Sequence, residues 1–222
     1  SVRMVLSNAL YFLGDWTEPF EASETYDEVF RASSGDVTAS FMHSTRALPY
    51  YDDGNFSMIT LEFKSEAGEG RYAMAFLLPA EGTSANELLS SLSGETFAAA
   101  LEGAQSCETM ISLPKFEFAY FTSLKDTLTD MGMGLAFSEG ADFSPMTAEP
   151  NGLYIGDVLH KTFCRVDEKG TEAAAVTAVQ IDLESMPVYD VEMTFDRPFL
   201  YGIVDLESSL PLFTGVLENP VE

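Results

Sequence analysis

The stretch that most constrains this chain runs from Asp167 to Glu184. Taken at every second position from Thr171, it reads Thr171, Ala173, Ala175, Thr177, Val179, Ile181 and Leu183, all small or apolar. The positions between are Glu172, Ala174, Val176, Ala178, Gln180, Asp182 and Glu184, and they hold every charge from 171 onward. Successive side chains of a strand point to opposite faces, so this run can be a strand with one dry and one wet face. At about 3.3 Å per residue it would extend over roughly 46 Å, against a usual strand of about 5–6 residues. The competing reading is a helix, which Gly170-Thr171 could start and three alanines favour. Position 174 is Ala, so no capping box is present, and Val176, Thr177, Val179 and Ile181 are β-branched. Residues 173–179 fit both readings; with Ile181 to Glu184 included, strand is preferred. A segment that is loop or helix in one state and strand in another would satisfy both patterns.

The length of 222 residues suffices for a sizeable core, and no repeat, linker or low-complexity tract divides the chain, so residues 1–222 are expected to be one globular domain. A net charge of −25 argues against nucleic acid, heparin or an anionic membrane as partners through this surface. No apolar run approaches the ~18 residues needed to span a bilayer, and no signal peptide is visible, which a chain beginning mid-fold could not show in any case. Cys107 and Cys164 are too few for a disulfide framework and lack metal-ligand spacing, which leaves two separate thiols in strands as the preferred reading. Asn55-Phe56-Ser57 is a lone glycosylation sequon.

Along the chain, Val2 to Leu13 reads as a strand buried on both faces or nearly so, with Asn8 then needing partners inside the protein. Glu21 to Phe30 suits an exposed strand, followed by a turn at Ser33 to Asp36. Strands are expected over Phe56 to Phe63 and Tyr72 to Leu78, with a hairpin-like loop from Glu66 to Gly70 between them. Ser84-Ala85-Asn86-Glu87 is a capping box that opens a helix, and a second short helix covers Glu95 to Glu102. Phe116 to Tyr120 alternates as a strand; Ser123 then caps a helix through Leu124, Leu128 and Met131 that Gly132 stops. Met146 to Gly152 reads as loop, and the apolar run Leu153 to Val166 leads straight into the segment described first. Val188 to Phe195, Phe199 to Val204 and Leu212 to Leu217 complete about ten strands and three short helices, an α+β protein dominated by antiparallel sheets.

Signals of an enzyme are missing: no nucleophile elbow, phosphate-binding loop, dinucleotide fingerprint or paired-histidine zinc motif occurs. Of the two histidines, His43 lies in a mixed segment and reads as a surface residue, and His160 lies within a strand pattern and reads as a hydrogen-bonded core residue. The many acids are scattered, as on a solvated surface. No catalytic residue, cofactor or metal site is assigned.

Glu168-Lys169-Gly170-Thr171-Glu172-Ala173-Ala174-Ala175 resembles the hinge of the reactive-centre loop of the serpins, the serine protease inhibitors. The resemblance extends to Asn8-Ala9-Leu10-Tyr11-Phe12, Gly14, Trp16 and Pro19-Phe20, and to Leu113-Pro114-Lys115 and Phe137-Ser138. It continues through Gly140-Ala141-Asp142-Phe143-Ser144, His160-Lys161, Arg197-Pro198-Phe199 and Pro211-Leu212-Phe213-Thr214-Gly215, in the family's order across essentially the whole chain. The family's N-terminal third, with most of its helices, has no counterpart. The resemblance implies a partial serpin fold of sheets A, B and C, with a reactive-centre loop at about 168–188.

It further implies a suicide substrate: a serine or cysteine protease cleaves the loop, becomes acylated, and is trapped as the freed arm enters sheet A as a new strand. Loop insertion in serpins is itself a standard example of a switch that releases stored strain. The residues fit that demand. Gly170 lets the chain turn over; Thr171, Ala173 and Ala175 are small enough to enter a closing gap; no charge on that face, through Leu183, would need desolvation. No proline interrupts the run before Pro187. The hinge set is thus Glu168, Gly170, Thr171, Glu172, Ala173, Ala174, Ala175, Val176 and Thr177. By resemblance Asn8, His160, Trp16 and Lys115 sit where sheet A opens, and Lys115 pairs with Glu168. Counting from Glu168 puts the reactive bond at Glu184–Ser185, which suits an acid-preferring protease. Cleavage one to three residues later, as after Met186, would suit an elastase- or chymotrypsin-like one. The implied protein is secreted, monomeric when full length, and without a heparin site. The rivals are a non-inhibitory serpin-fold binding or chaperone-like protein, and a free-standing module, whose uncovered sheets would expose large apolar faces.

Overall fold

The computed structural model describes residues 3–65, 70–146, 153–170 and 188–221. Contacts divide the chain into two compact units, Ser1–Phe12 with Phe118–Cys164 and Leu13–Glu117 with Arg165–Glu222. The described strands are β1 (Arg3–Tyr11), β2 (Thr25–Ala32), β3 (Gly35–Asp52), β4 (Phe56–Glu62), β5 (Tyr72–Pro79), β6 (Gln105–Pro114), β7 (Phe116–Ser123), β8 (Tyr154–Val166), β9 (Val191–Thr194), β10 (Phe199–Asp205) and β11 (Leu210–Leu217). Helices α1 (Ala85–Ser91), α2 (Gly94–Gly103) and α3 (Lys125–Leu128) are short.

The first unit is built on a three-stranded sheet in the order β1-β8-β7. β1 and β8 are direct, parallel neighbours in a register that sets Asn8 opposite His160 and Tyr11 opposite Phe163, whose rings stack at 5.8 Å. The expectation that β1 is buried on both faces fails: Val5 is 57% and Tyr11 51% exposed, and Asn8 is exposed as well. β1 is the edge of its sheet, and its apolar side chains project from sheet faces that leave them open to solvent. After β7, the Ser123 hydroxyl accepts the Lys125 backbone N–H at 3.3 Å. The helix it opens is shorter than expected. Beyond Leu128 the backbone widens into a π turn, which Gly132 breaks at φ 101°.

The second unit holds an eight-stranded sheet, β11-β10-β5-β4-β3-β6-β9 with β2 also on β3. β3 is its spine: 18 residues that pair with β2 at one end, with β4 at the other and with β6 between. Neither β3 nor β6 was marked as a strand by alternation. β3 changes partners along its length, so its buried positions follow no single period and it even tolerates Pro49. Antiparallel pairing dominates, as expected, but not throughout. β1–β8 and β6–β9 are parallel, so both sheets of this α+β fold are mixed; parallel neighbours require long crossovers, which short-range signals do not reveal.

One core cluster packs Phe56, Met58, Ala73, Ala75 and Leu77 under Leu88 of α1 and Phe97 and Ala100 of α2. The Ser84 capping box that starts α1 is complete, the hydroxyl accepting the Glu87 N–H and the Glu87 carboxylate accepting the Ser84 N–H at 2.8 Å. An aromatic cluster adds Phe76, Phe195 and Phe199, fully buried and edge-on at 5.0–6.1 Å between centroids. Both cysteine thiols are free. Burial pushes the Cys164 thiol up to about 12. His43 is not the surface residue that its segment suggested. Its side chain is 16% exposed, stacks on Tyr26 at 3.9 Å, and lies 3.0 Å from the Ser112 hydroxyl.

Candidate functional site

In the second unit, residues 167–170 are fastened to the segment 14–20, and the fastening begins in the backbone. Trp16 N–H donates to the Lys169 carbonyl at 2.7 Å, Phe20 N–H to the Glu168 carbonyl at 2.7 Å, and Asp15 bridges Gly170. Asp167 N–H closes a tight turn on the Gly170 carbonyl at 3.0 Å, while its own carboxylate accepts the Lys169 N–H at 2.9 Å. Gly170 sits at φ 148°, where a side chain is strained. A Cβ there would lie 2.1 Å from the Gly14 carbonyl oxygen, so glycine is demanded by space as well as by dihedral.

Side chains complete the anchor. Trp16 is 1% exposed; its indole N–H donates to the Asp167 carbonyl at 2.9 Å, and its ring stacks on Phe63 at 4.7 Å. The Glu168 carboxylate, 16% exposed, takes the Lys115 ammonium at 2.9 Å and the Thr25 hydroxyl at 3.0 Å. Burial alone would push that carboxyl up. The hydrogen bond from Lys115, its own backbone N–H and Thr25 outweigh it and hold Glu168 below the ordinary carboxylate value. Asp167, 4% exposed, is paired with Arg165 at 3.0 Å. Together these groups fix residues 167–170 in place against the segment 14–20.

The anchor therefore brings together Trp16, Lys115, Glu168 and Gly170 of the expected residues. Asn8 and His160 belong to the first unit, where the Asn8 amide N–H lies 3.4 Å from His160 Nδ1, at the long end of hydrogen-bond range. Thr171 to Thr177 of the hinge, and Glu184, Ser185 and Met186 at the reactive bond, lie outside the described residues. Sequence reasoning missed Thr25, Arg165 and the backbone role of Phe20. Thr25 and Phe20 act on a residue more than a hundred positions away, and no local pattern marks such a contact. Arg165 pairs with Asp167 only two positions on, a spacing that places both on one face of an extended chain.

Among known proteins, the model of the family described as Serpin (serine protease inhibitor) matches residues 1–220. A serpin-like protein of Thermococcus kodakarensis is 37% identical over 221 residues, covering 98% of this chain and 50% of that protein. Serpin-ZX of Hordeum vulgare is 36% identical over 228 residues, covering 100% of this chain and 57% of that protein. Among solved structures, the thermophilic serpin tengpin in its native state superposes with a TM-score of 0.85 at 33% identity, over 97% of this chain and 55% of that one. Human thyroxine-binding globulin with thyroxine gives 0.84 at 29% identity, over 98% of this chain and 56% of that one. The chain spans about half the length of the curated relatives it matches.

Proposed function

The chain belongs to the serpin family and carries the α+β serpin fold over the part it spans, and from that premise we propose that it inhibits a serine or cysteine protease as a suicide substrate. The protease nucleophile attacks the carbonyl of the reactive bond, taken as Glu184–Ser185, with Met186 as the alternative. The amine of the following residue leaves and the protease stays as an acyl ester or thioester on the loop. The freed arm from Thr171 then enters between β1 and β8. Residues 1–222 act as part of one serpin domain in this reading, outside the cell, without cofactor or catalysis of their own.

The observation that carries the reading is the anchor at 167–170. A chain held at Gly170 and reversing there would run antiparallel to β8, and so to β1 as well. Insertion would replace one parallel pairing by two antiparallel ones, which are slightly more stable per residue. The uncharged face of 171–183 keeps that exchange free of desolvated charge.

The test is a panel of serine and cysteine proteases run against the intact protein on denaturing gels. A covalent adduct, with a released fragment beginning at Ser185, is the expected result. Simple cleavage with no gain in thermal stability would overturn it. That outcome would favour the second reading, a non-inhibitory binding or chaperone-like protein, which the likeness to thyroxine-binding globulin supports.

A further inference from the structure

A narrow cleft of about 210 Å³ opens beside the anchor, between the segment carrying Trp16 and the strands β3 and β4. Its lining is mixed: the apolar Trp16, Leu48, Pro49 and Leu61 stand beside two threonines, two acids (Glu18 and Glu62) and one cation, Arg46. The Arg46 guanidinium lies over the Phe20 ring at 4.6 Å and donates through Nη1 to the Glu18 carbonyl. Among the described residues no carboxylate pairs with it, and its buried Nε–H has no acceptor. Arg31, Arg71, Arg165 and Arg197 each have a carboxylate partner.

An unmatched guanidinium is out of character in a chain with 36 acids and 11 lysines and arginines. A buried donor left without an acceptor costs about 1–3 kcal/mol, and a fork of five N–H groups is built for a carboxylate. Burial holds this guanidinium below its ordinary pKa, against the pull of the Glu18 charge. The two acids at the cleft do not take up the spare donors: Glu62 is committed to Arg71 at 2.6 Å, and Glu18 meets Arg46 through its backbone.

We propose that this cleft binds a short apolar carboxylate, its oxygens on the Arg46 guanidinium and its hydrocarbon against Trp16, Leu48 and Leu61. At about 30 Å³ per water-sized group, the space holds roughly seven non-hydrogen atoms. That is the size of a four- or five-carbon acid, or of the last residue of a peptide. Because Trp16 is a wall of the cleft and also holds residues 167 and 169, an occupant tightens the anchor. The site stands whether or not the chain inhibits a protease.

The test is calorimetric titration of the protein with butyrate and with butyramide, followed in parallel by the fluorescence of Trp16, the sole tryptophan. Saturable binding of butyrate, at least tenfold weaker binding of the amide, and a rise in melting temperature with butyrate are expected. Arg46→Met should weaken butyrate at least tenfold, with an unchanged circular dichroism spectrum. N-acetyl-Ala-Leu as free acid and as amide tests the peptide source. Tighter binding of that acid than of butyrate assigns the cleft to a peptide terminus, and the reverse to a free acid; both support the proposal. Absence of saturable carboxylate binding, equal binding of butyramide, or butyrate binding unchanged in Arg46→Met would overturn it. The amide comparison needs no variant and decides the matter even if Arg46→Met does not fold.

Discussion

The indole N–H of Trp16 donates to the backbone carbonyl of Asp167 at 2.9 Å, across 151 residues of chain. One buried side chain thereby holds the turn at 167–170 to the segment 14–20. Replacing Trp16 by Phe keeps an aromatic ring against Phe63 but leaves the Asp167 carbonyl without its donor in a dry site. The expected cost is about 1–3 kcal/mol, read as a shift of the midpoint in denaturant unfolding at unchanged slope.

Gly170 is confined by a backbone oxygen that cannot move aside as a side chain can. Gly170→Ala would bring a Cβ to within 2.1 Å of the Gly14 carbonyl at φ 148°. It is expected to open the Asp15–Gly170 bridge and to destabilise by about 1–3 kcal/mol. Unfolding measurements check the loss, and faster exchange of the Trp16 and Phe20 amide protons localises it.

The ion pair of Glu168 with Lys115 makes stability depend on acid. The folded-state pKa of Glu168 lies below the unfolded value of 4.5. The unfolded chain therefore takes up its proton first as pH falls. The contribution is complete above about pH 4.5 and is lost as pH drops through the folded-state value. Unfolding free energies of the wild type and of Glu168→Gln, measured from pH 7 to pH 3, are expected to converge at the acid end and differ at neutral pH. Parallel curves would contradict this.

Burial separates the two thiols. With its pKa pushed to about 12, Cys164 is almost wholly protonated at pH 8, whereas half-buried Cys107 is partly open to solvent. Iodoacetamide at pH 8 is expected to label Cys107 in the native protein and Cys164 only after denaturation, which peptide mass analysis reads directly.

Under the inhibitory reading, Thr171→Arg puts a guanidinium on the face that must become dry. The loop should still be cut at the same rate, while the yield of covalent adduct on denaturing gels falls to background. An unchanged adduct yield would break the link between that face and trapping.

Strands whose burial repeats every second residue, or that are apolar throughout, could be read directly: β4, β5, β7, β8 and β10 lie within a few residues of their expected positions. So could α1, because a capping box is complete within four residues. β3 was not readable, since its length is set by three different neighbours. β1 was misread for a related reason: an apolar sequence states what a strand can bury, whereas what packs on the faces of its sheet decides what is covered. At the anchor, Lys115 and Glu168 could be paired only through family resemblance, and nothing local pointed to Thr25.

The amino-acid order alone determined the charge class, the caps, the strand periods and the uncharged alternate face of 171–183. All of these are written in neighbouring residues and their fixed spacing. Tertiary structure alone decided the parallel direction of β1–β8 and β6–β9, the clamp of Trp16 on Asp167 and the seat of Arg46 over the Phe20 ring. Each depends on groups brought together from distant parts of the chain, and a contact of that kind has energy without leaving a local pattern.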